Sequence, residues 1–240
     1  IIDKHFNLYR ETYWELPYEF NYNKNYDEGK VLYEFKELLI NSIKKRAISE
    51  VQVGTYLSGG VDSSIITAIT SLLLNKPINT YTIGFDSLNE FKYAKMVADM
   101  YDSNQKVIKM DDSSYFSLMN IVTWYKDSPL GIPNEVPLAY MSRILKEDIR
   151  VVLSGEGADE LLGGYGRIFR APFDFRNHFS NKVSFYDYFI SKYEYVPRNI
   201  RDRYLKVEKS IRHFFDNNIR EEFDLFNNEE NVFRFFHKYH

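Results

Sequence analysis

The chain has 240 residues, 44% hydrophobic and 27% charged, and its 31 Lys and Arg against 34 Asp and Glu leave a formal net charge of −3. This is ordinary globular usage; it argues against a disordered polyelectrolyte and offers no long-range pull toward nucleic acid or anionic lipid. Cysteine is absent, which removes disulfides, thiolate metal sites and a Cys nucleophile, and no apolar run reaches the ~18 residues of a membrane span, so a cytoplasmic chain is the natural reading.

The sequence opens Ile1-Ile2-Asp3-Lys4 with neither an initiator Met nor a signal-peptide pattern, and is expected to be a piece of a longer protein. Residues 1–30, irregular and including Pro17, read as a linker or lead-in. Leu32, Phe35, Leu38, Leu39, Ile43 and Ile48 then recur at helical spacing opposite Lys36, Glu37, Lys44 and Lys45, predicting an amphipathic helix. Residues 51–57 are β-branched and aromatic and predict a strand closed by a Ser-Gly-Gly turn. Residues 63–74 predict a helix apolar nearly all round, hence buried. A second strand is predicted at 80–85, a helix at 91–101 and a third strand at 106–110. Ser113 is the expected cap of a helix running through Met119, Ile121 and Trp124. After Pro129, Pro133 and Pro137, a helix carrying Leu138, Met141 and Leu145 leads to a fourth strand at 150–153. Beyond Tyr165 the pattern is helical and aromatic, with Tyr188, Phe189 and Tyr193 as expected core.

Strands alternating with helices predict an α/β fold, a parallel sheet with helices on both faces, followed by a helical C-terminal extension. The expected division is a lead-in over 1–30, an α/β domain over 31–168 and the extension over 169–240, truncated at its end. Ligands of such sheets bind beyond the carboxyl ends of the strands, which directs attention to the loops after Leu57, Phe85 and Leu153.

The first of these loops reads Ser58-Gly59-Gly60-Val61-Asp62-Ser63-Ser64. Gly59 and Gly60 let backbone turn sharply and approach an anion, the following helix start supplies N–H groups, and Ser58, Ser63 and Ser64 can add hydroxyls. Asp62 would repel a phosphate unless a divalent cation such as Mg²⁺ stood between them. There is no Gly-Lys-Ser/Thr and no Gly-x-Gly-x-x-Gly, so neither a Walker loop nor a dinucleotide fold is indicated. The plain alternative is a Gly- and Ser-rich tight turn. The loop resembles the pyrophosphate loop of the N-type ATP pyrophosphatases, adenine nucleotide alpha hydrolase-like proteins that activate a group by adenylation.

The loop after the fourth strand, Ser154-Gly155-Glu156-Gly157-Ala158-Asp159-Glu160 running on to Gly163-Gly164-Tyr165, concentrates negative charge beside glycines. An acidic helix start is its plain reading, with Glu160 the residue that fits it best. The segment resembles the second signature of the asparagine synthetase family, and Thr80–Phe85, Asp127-Ser128-Pro129 with Pro137-Leu138, and Tyr13-Trp14 add further likeness. The resemblance implies ATP and Mg²⁺, adenylation of a carboxylate (in the usual case the aspartate side chain), and displacement of AMP by ammonia. It also implies a role for each matching residue. Ser58, Gly59, Gly60, Asp62, Ser63 and Ser64 would hold pyrophosphate, and Asp62 and Asp159 would hold Mg²⁺. Leu57, Ile83 and the Ser154-Gly155 backbone would line the adenosine pocket. Glu156 would take a proton from ammonia, and Tyr165 would touch phosphate. Implied partners are small molecules, a glutaminase domain and a second copy of the chain as a homodimer; a nucleic acid or a membrane is not implied.

Some departures are plain. The glutaminase Cys and the family's later catalytic lysine segment have no match here, so little turnover is expected of this chain alone, and Gln105 stands where the family often has His. Alternatives stay open: a relative amidating a sugar acid or secondary metabolite, or a non-catalytic nucleotide-binding module. His237 and His240 read as incidental rather than as a metal pair, and the basic run Arg198, Arg201, Arg203, Lys206, Lys209 and Arg212 as a solvated helix face.

Overall fold

The computed structural model describes residues 2–13, 25–178, 183–205, 208–224, 232 and 236. The chain divides into two compact units, Asp27–Ala158 and the combination of Ile1–Tyr26 with Asp159–His240. Trp14, Pro17, Lys206, His237 and His240 lie outside the described residues.

The first unit begins with helix α1 (Glu28–Ala47), whose start is capped by Asp27 accepting the Lys30 N–H at 3.2 Å and whose last turn is basic, both favourable to its dipole. There follow β1 (Val53–Tyr56), α2 (Val61–Leu74), β2 (Asn79–Gly84), α3 (Phe91–Met100), β3 (Asn104–Lys109), α4 (Asp112–Lys126), α5 (Glu135–Leu145) and β4 (Val151–Leu153). The four strands form one parallel sheet in the order β3-β2-β1-β4. The chain steps from β1 to β2 to β3 and then returns to lay β4 on the other side of β1. Loops leaving strands at such a reversal diverge and open a crevice. The strands concerned here are β1 and β4, and their loops carry the two sequence motifs.

Alternation along the strands covers both faces. Tyr81 and Ile83 of β2 pack with Met141, Leu145 and Ile149 on the α5 side. Thr82 turns the other way and bonds Leu57, which packs on Ala94 and Ala98 of α3.

Three local expectations need correction. The buried stripe of α2 is Ser63, Thr67, Thr70 and Ser71, while Val61, Ile65 and Leu72 are exposed, Leu72 at 71%. The cause is the surface it meets: Thr55 of β1 shares a 2.9 Å hydroxyl bond with Thr67, both fully buried, and paired hydroxyls tolerate burial. Helix α1 likewise forms, but only Ile43 of its apolar stripe is buried; Leu32, Phe35 and Leu38 are exposed and Ile48 lies past its end. The cap of α4 is Asp111 rather than Ser113. Its carboxylate accepts the Ser114 N–H and the Ser113 hydroxyl, each at 2.7 Å, from an extended backbone.

The second unit contains α6 (Ala158–Leu162), which starts at the border, then α7 (Gly166–Phe169), α8 (Ala171–His178), α9 (Phe185–Tyr193), α10 (Arg198–Tyr204) and α11 (Lys209–Asp224). Its core is aromatic, as the sequence predicts, with Phe169, Tyr186, Tyr188, Phe189, Phe223 and Phe236 buried together. Edge-to-face pairs such as Phe169–Phe236, 5.1 Å apart at 69°, add about 0.5–1.5 kcal/mol each beyond their buried area. In the basic run, Arg198 pairs with Asp216 at 3.0 Å and Arg201 with Glu194 at 3.3 Å. No helix among the described residues is long and apolar enough to cross a membrane.

The inverted face of α2 is testable by denaturant unfolding. Leu72→Lys is expected to change stability by under about 0.5 kcal/mol, as at an ordinary surface position. Thr67→Leu should cost about 1–3 kcal/mol by overpacking and by orphaning the Thr55 hydroxyl.

Two loop anchors carry a pH signature. The Lys126 ammonium, followed by the N–H groups of Gly131 and Ile132, holds the Glu135 carboxyl below its usual 4.5, and the Ser114 N–H with the Ser113 hydroxyl holds Asp111 below 3.8. A carboxyl depressed on folding stabilises above its unfolded pKa and loses that contribution as pH falls through the folded value. Melting temperature should therefore decline from about pH 4.5 downward, and Glu135→Gln should flatten that decline while lowering the midpoint at pH 7.

Candidate active site

β1 ends at Tyr56, and Leu57 continues the ladder by donating its N–H to Tyr81 O at 2.9 Å. The chain then leaves the sheet through Ser58, Gly59 and Gly60 into α2. Gly59 has φ +93°, and a Cβ there would stand 2.5 Å from Ala94 N and 2.6 Å from Tyr93 Cβ. Glycine is demanded at 59 both by the turn and by the backbone of α3 passing behind it. Gly60 differs: its φ is −68° and a Cβ would meet only Ser58 Oγ, at 3.3 Å. Protein packing does not require a glycine at 60, and glycine is an ordinary residue at a helix N-cap.

Gly60 is also the N-cap of α2 and has no side chain with which to cap it. The N–H groups of Val61, Asp62 and Ser63 find no acceptor among the described residues; the first helical bond is Ser64 N–H to Gly60 O at 3.0 Å. A 14-residue helix thus presents orphan donors and the positive end of its dipole at the β1–β4 crevice. The serines are engaged among themselves. Ser58 and Ser63 hydroxyls lie 2.9 Å apart, Ser58 Oγ accepts the Gly60 N–H at 3.2 Å, and the Ser64 hydroxyl donates to Gly60 O at 2.6 Å. The donors left free at the helix start are the N–H groups of Val61, Asp62 and Ser63, since those of Ser58 and Gly60 are taken by serine hydroxyls.

The second loop reaches the first at one point. A Cβ on Gly155 would lie 3.0 Å from Asp62 C, Asp62 Cβ and Ser63 N, so the segment after β4 rests on the opening turn of α2. Ser154 Oγ accepts the Glu156 N–H at 3.1 Å, and Gly157 takes φ +93° in open space. Asp62 is half-buried and Glu156 exposed, and neither carboxylate has a hydrogen bond or ion pair among the described residues.

The fold thus brings together Ser58, Gly59, Gly60, Asp62, Ser63, Ser64, Ser154, Gly155 and Glu156. Leu57 and Ile83 sit in different clusters, Leu57 against Ala94 and Ala98 of α3, and Ile83 with Tyr81 and Met141 on the α5 side. Asp159, Glu160 and Tyr165 belong to the other unit. There Gly164 donates its N–H to Asp159 O at 2.9 Å, a Cβ on it would overlap the Asp159 carboxylate, and the Tyr165 hydroxyl donates to Glu160 at 2.7 Å. Among the described residues no group of three or more His, Asp and Glu side chains forms a metal cluster. Thr82 lies inside the Thr80–Phe85 segment and Gln105 is a noted departure from the family, but the sequence ties neither to the loop; Thr82 reaches it by bonding Leu57 O, and Gln105 only by way of Thr82. The signal for them is the run of threonines in strands where apolar residues are the rule.

A parallel α/β domain with a glycine-capped helix start at its strand reversal is the class defined by this fold and site. The chain matches the asparagine synthase family model over residues 34–235 and belongs to that family as an asparagine synthetase-like synthetase domain. A protein of Methanocaldococcus jannaschii provisionally named glutamine-hydrolyzing asparagine synthetase 2 is 34% identical over 155 residues, 64% of this chain and 30% of its own length. Glutamine-hydrolyzing asparagine synthetase 1 of Bacillus subtilis is 34% identical over 150 residues, 61% of this chain and 23% of its own. Amidase chry2 of Gibberella zeae is 30% identical over 174 residues, 65% of this chain and 26% of its own. The chain spans less than a third of the length of these curated relatives.

The two adjacent glycines should respond differently. Gly59→Ala is expected to cost about 1–3 kcal/mol through positive φ and collision with α3. Gly60→Ala should stay within about 1 kcal/mol of the parent. Urea titration of both variants checks the contrast.

Proposed function

We propose that the chain is the ATP-dependent synthetase portion of an asparagine synthetase-like amidotransferase. A carboxylate, the aspartate side chain first among candidates, attacks the α-phosphorus of ATP. The bond to pyrophosphate breaks, ammonia then attacks the acyl carbon, and AMP leaves with the amide formed. The observation that carries this reading is the uncapped start of α2, held at the strand reversal by the Gly155 contact.

In this reading the N–H groups of Val61, Asp62 and Ser63 receive the pyrophosphate as its charge develops, when preorganised donors are worth most. The hydroxyls of Ser58, Ser63 and Ser64 hold the loop open around it and can exchange their internal bonds for phosphate oxygens. Leu57, Ile83 and the Ser154-Gly155 backbone border the adenosine. Asp62 would be a Mg²⁺ ligand, and the resemblance gives Asp159 the same role; the ion would supply neutralisation of the triphosphate charge. The donor set suits that ion, since a carboxylate beside an anion-binding helix start is otherwise repulsive and Asp62 has no competing partner among the described residues. Glu156, exposed and unengaged, takes the proton that ammonia must lose on attack. The resemblance gives Tyr165 a phosphate contact as well; its hydroxyl here donates to Glu160. Ammonia would come from a glutaminase domain, as the glutamine-hydrolyzing relatives' names suggest.

The acceptor is tested with a panel of acids, because one relative is named an amidase. Calorimetry should find ATP binding to the chain strengthened by Mg²⁺. Asp62→Asn should remove that strengthening without unfolding the protein; unchanged Mg²⁺ dependence would count against the reading, and metal-independent binding by the parent would favour an inert nucleotide module. In a pyrophosphate- and amide-release assay on the complete natural protein, Glu156→Ala should slow amide formation by about 10²–10⁴-fold and leave ATP affinity nearly intact. Equal loss of both would refute its role as base.

A further inference from the structure

We infer that Thr82 and Gln105 are positioning residues for the anion loop, acting through the carbonyl of Leu57. Gln105 lies on β3, an edge of the sheet, in register with Thr80 of β2. Its side-chain amide reaches diagonally to Thr82 and donates to Oγ1 at 3.0 Å. The Thr82 hydroxyl has a single proton, and it goes to Leu57 O at 2.7 Å. With that proton committed, the oxygen is left to accept from Gln105, so the three groups have one fully satisfied arrangement. Thr82 is 2% exposed, and water cannot readily replace the bond it makes.

Leu57 is the last residue before Ser58. Its N–H is taken by Tyr81 O, its carbonyl by Thr82, and its side chain, 1% exposed, by Ala94 and Ala98. The loop therefore starts from a fixed point. On its other side the Thr55–Thr67 bond ties β1 to α2. A loop held at entry and exit presents its N–H donors in one geometry, and an anion then binds without first having to order them. The shape at position 82 would be met equally by valine, the ordinary choice for a buried central strand. What a hydroxyl adds is the grip on Leu57.

The effect on ligand affinity rests on the pyrophosphate reading above; the effect on the loop does not. The test uses the 240-residue chain with Thr82→Val, Thr82→Ser, Gln105→Leu and the Val/Leu double variant. Two quantities are measured: amide exchange at Leu57, Ser58 and Gly60, and affinity for inorganic pyrophosphate with Mg²⁺. Thr82→Val should speed exchange at those amides and weaken pyrophosphate binding, each by about 5- to 50-fold. Thr82→Ser should restore both. Gln105→Leu should give a smaller loss of about 2- to 10-fold and add nothing in the Val background. The inference is overturned if exchange rises evenly across the sheet unit, if serine does not rescue, or if the two losses multiply. Should Thr82→Val fail to fold, Gln105→Leu against the parent decides the question by the same local exchange. If the parent does not bind pyrophosphate but the exchange pattern holds, the ligand reading fails and the positioning stands. If the parent binds and Thr82→Val matches it, the positioning fails alone.

Discussion

The candidate site depends on one missing methyl group. Because position 155 is glycine, the backbone leaving β4 can lie against the Asp62–Ser63 peptide, with the place of a Cβ only 3.0 Å from three of its atoms. A Cβ at this position would require the two backbones to move apart by a few tenths of an ångström. The β1–β4 reversal brings the two loops to the same crevice, but topology alone leaves them as neighbours. The contact turns them into one surface, on which orphan N–H donors and two unengaged carboxylates, Asp62 and Glu156, occupy connected backbone.

A second constraint runs beneath that surface. The layer between the sheet and α2 and α3 is unusually polar: Thr55, Thr67, Thr80 and Thr82 are all buried there. Each has a defined partner, Thr55 with Thr67, Thr80 with Ser103, and Thr82 with Leu57 and Gln105. Apolar residues would fill the same space through non-directional contacts, whereas hydroxyl bonds prescribe geometry as well as distance. The apolar side chains displaced from this layer emerge on the outer side of α2, at Val61, Ile65 and Leu72.

The helical unit is held together differently. Its buried aromatic cluster relies on area and ring geometry, and in its basic run Arg198 pairs with Asp216 and Arg201 with Glu194. Asp159 and Glu160 open this unit while the rest of their motif closes the sheet unit. Membership of the asparagine synthase family accounts for the presence of both motifs in one chain. The chemistry assigned to them rests on the donors and carboxylates described above.

The sequence by itself determined the parallel α/β architecture, the positions of the four strands, the aromatic helical part and the two loops, because periodicity and glycine-serine punctuation are local properties that survive without a partner. It also marked Asp62 as a carboxylate out of keeping with an anion-binding loop. It could not determine which side of α2 faces inward, since an apolar helix is assigned to the core by default and only the sheet supplies Thr55 as a hydroxyl partner for Thr67. It pointed to Ser113 as a cap, where tertiary placement put the Asp111 carboxylate within reach of the same turn. Nor could it separate the roles of Gly59 and Gly60, or pair Gln105 with Thr82. Those depend on the backbone of α3 behind the loop and on the register of two strands, distances that arise only when segments far apart in the chain are packed together.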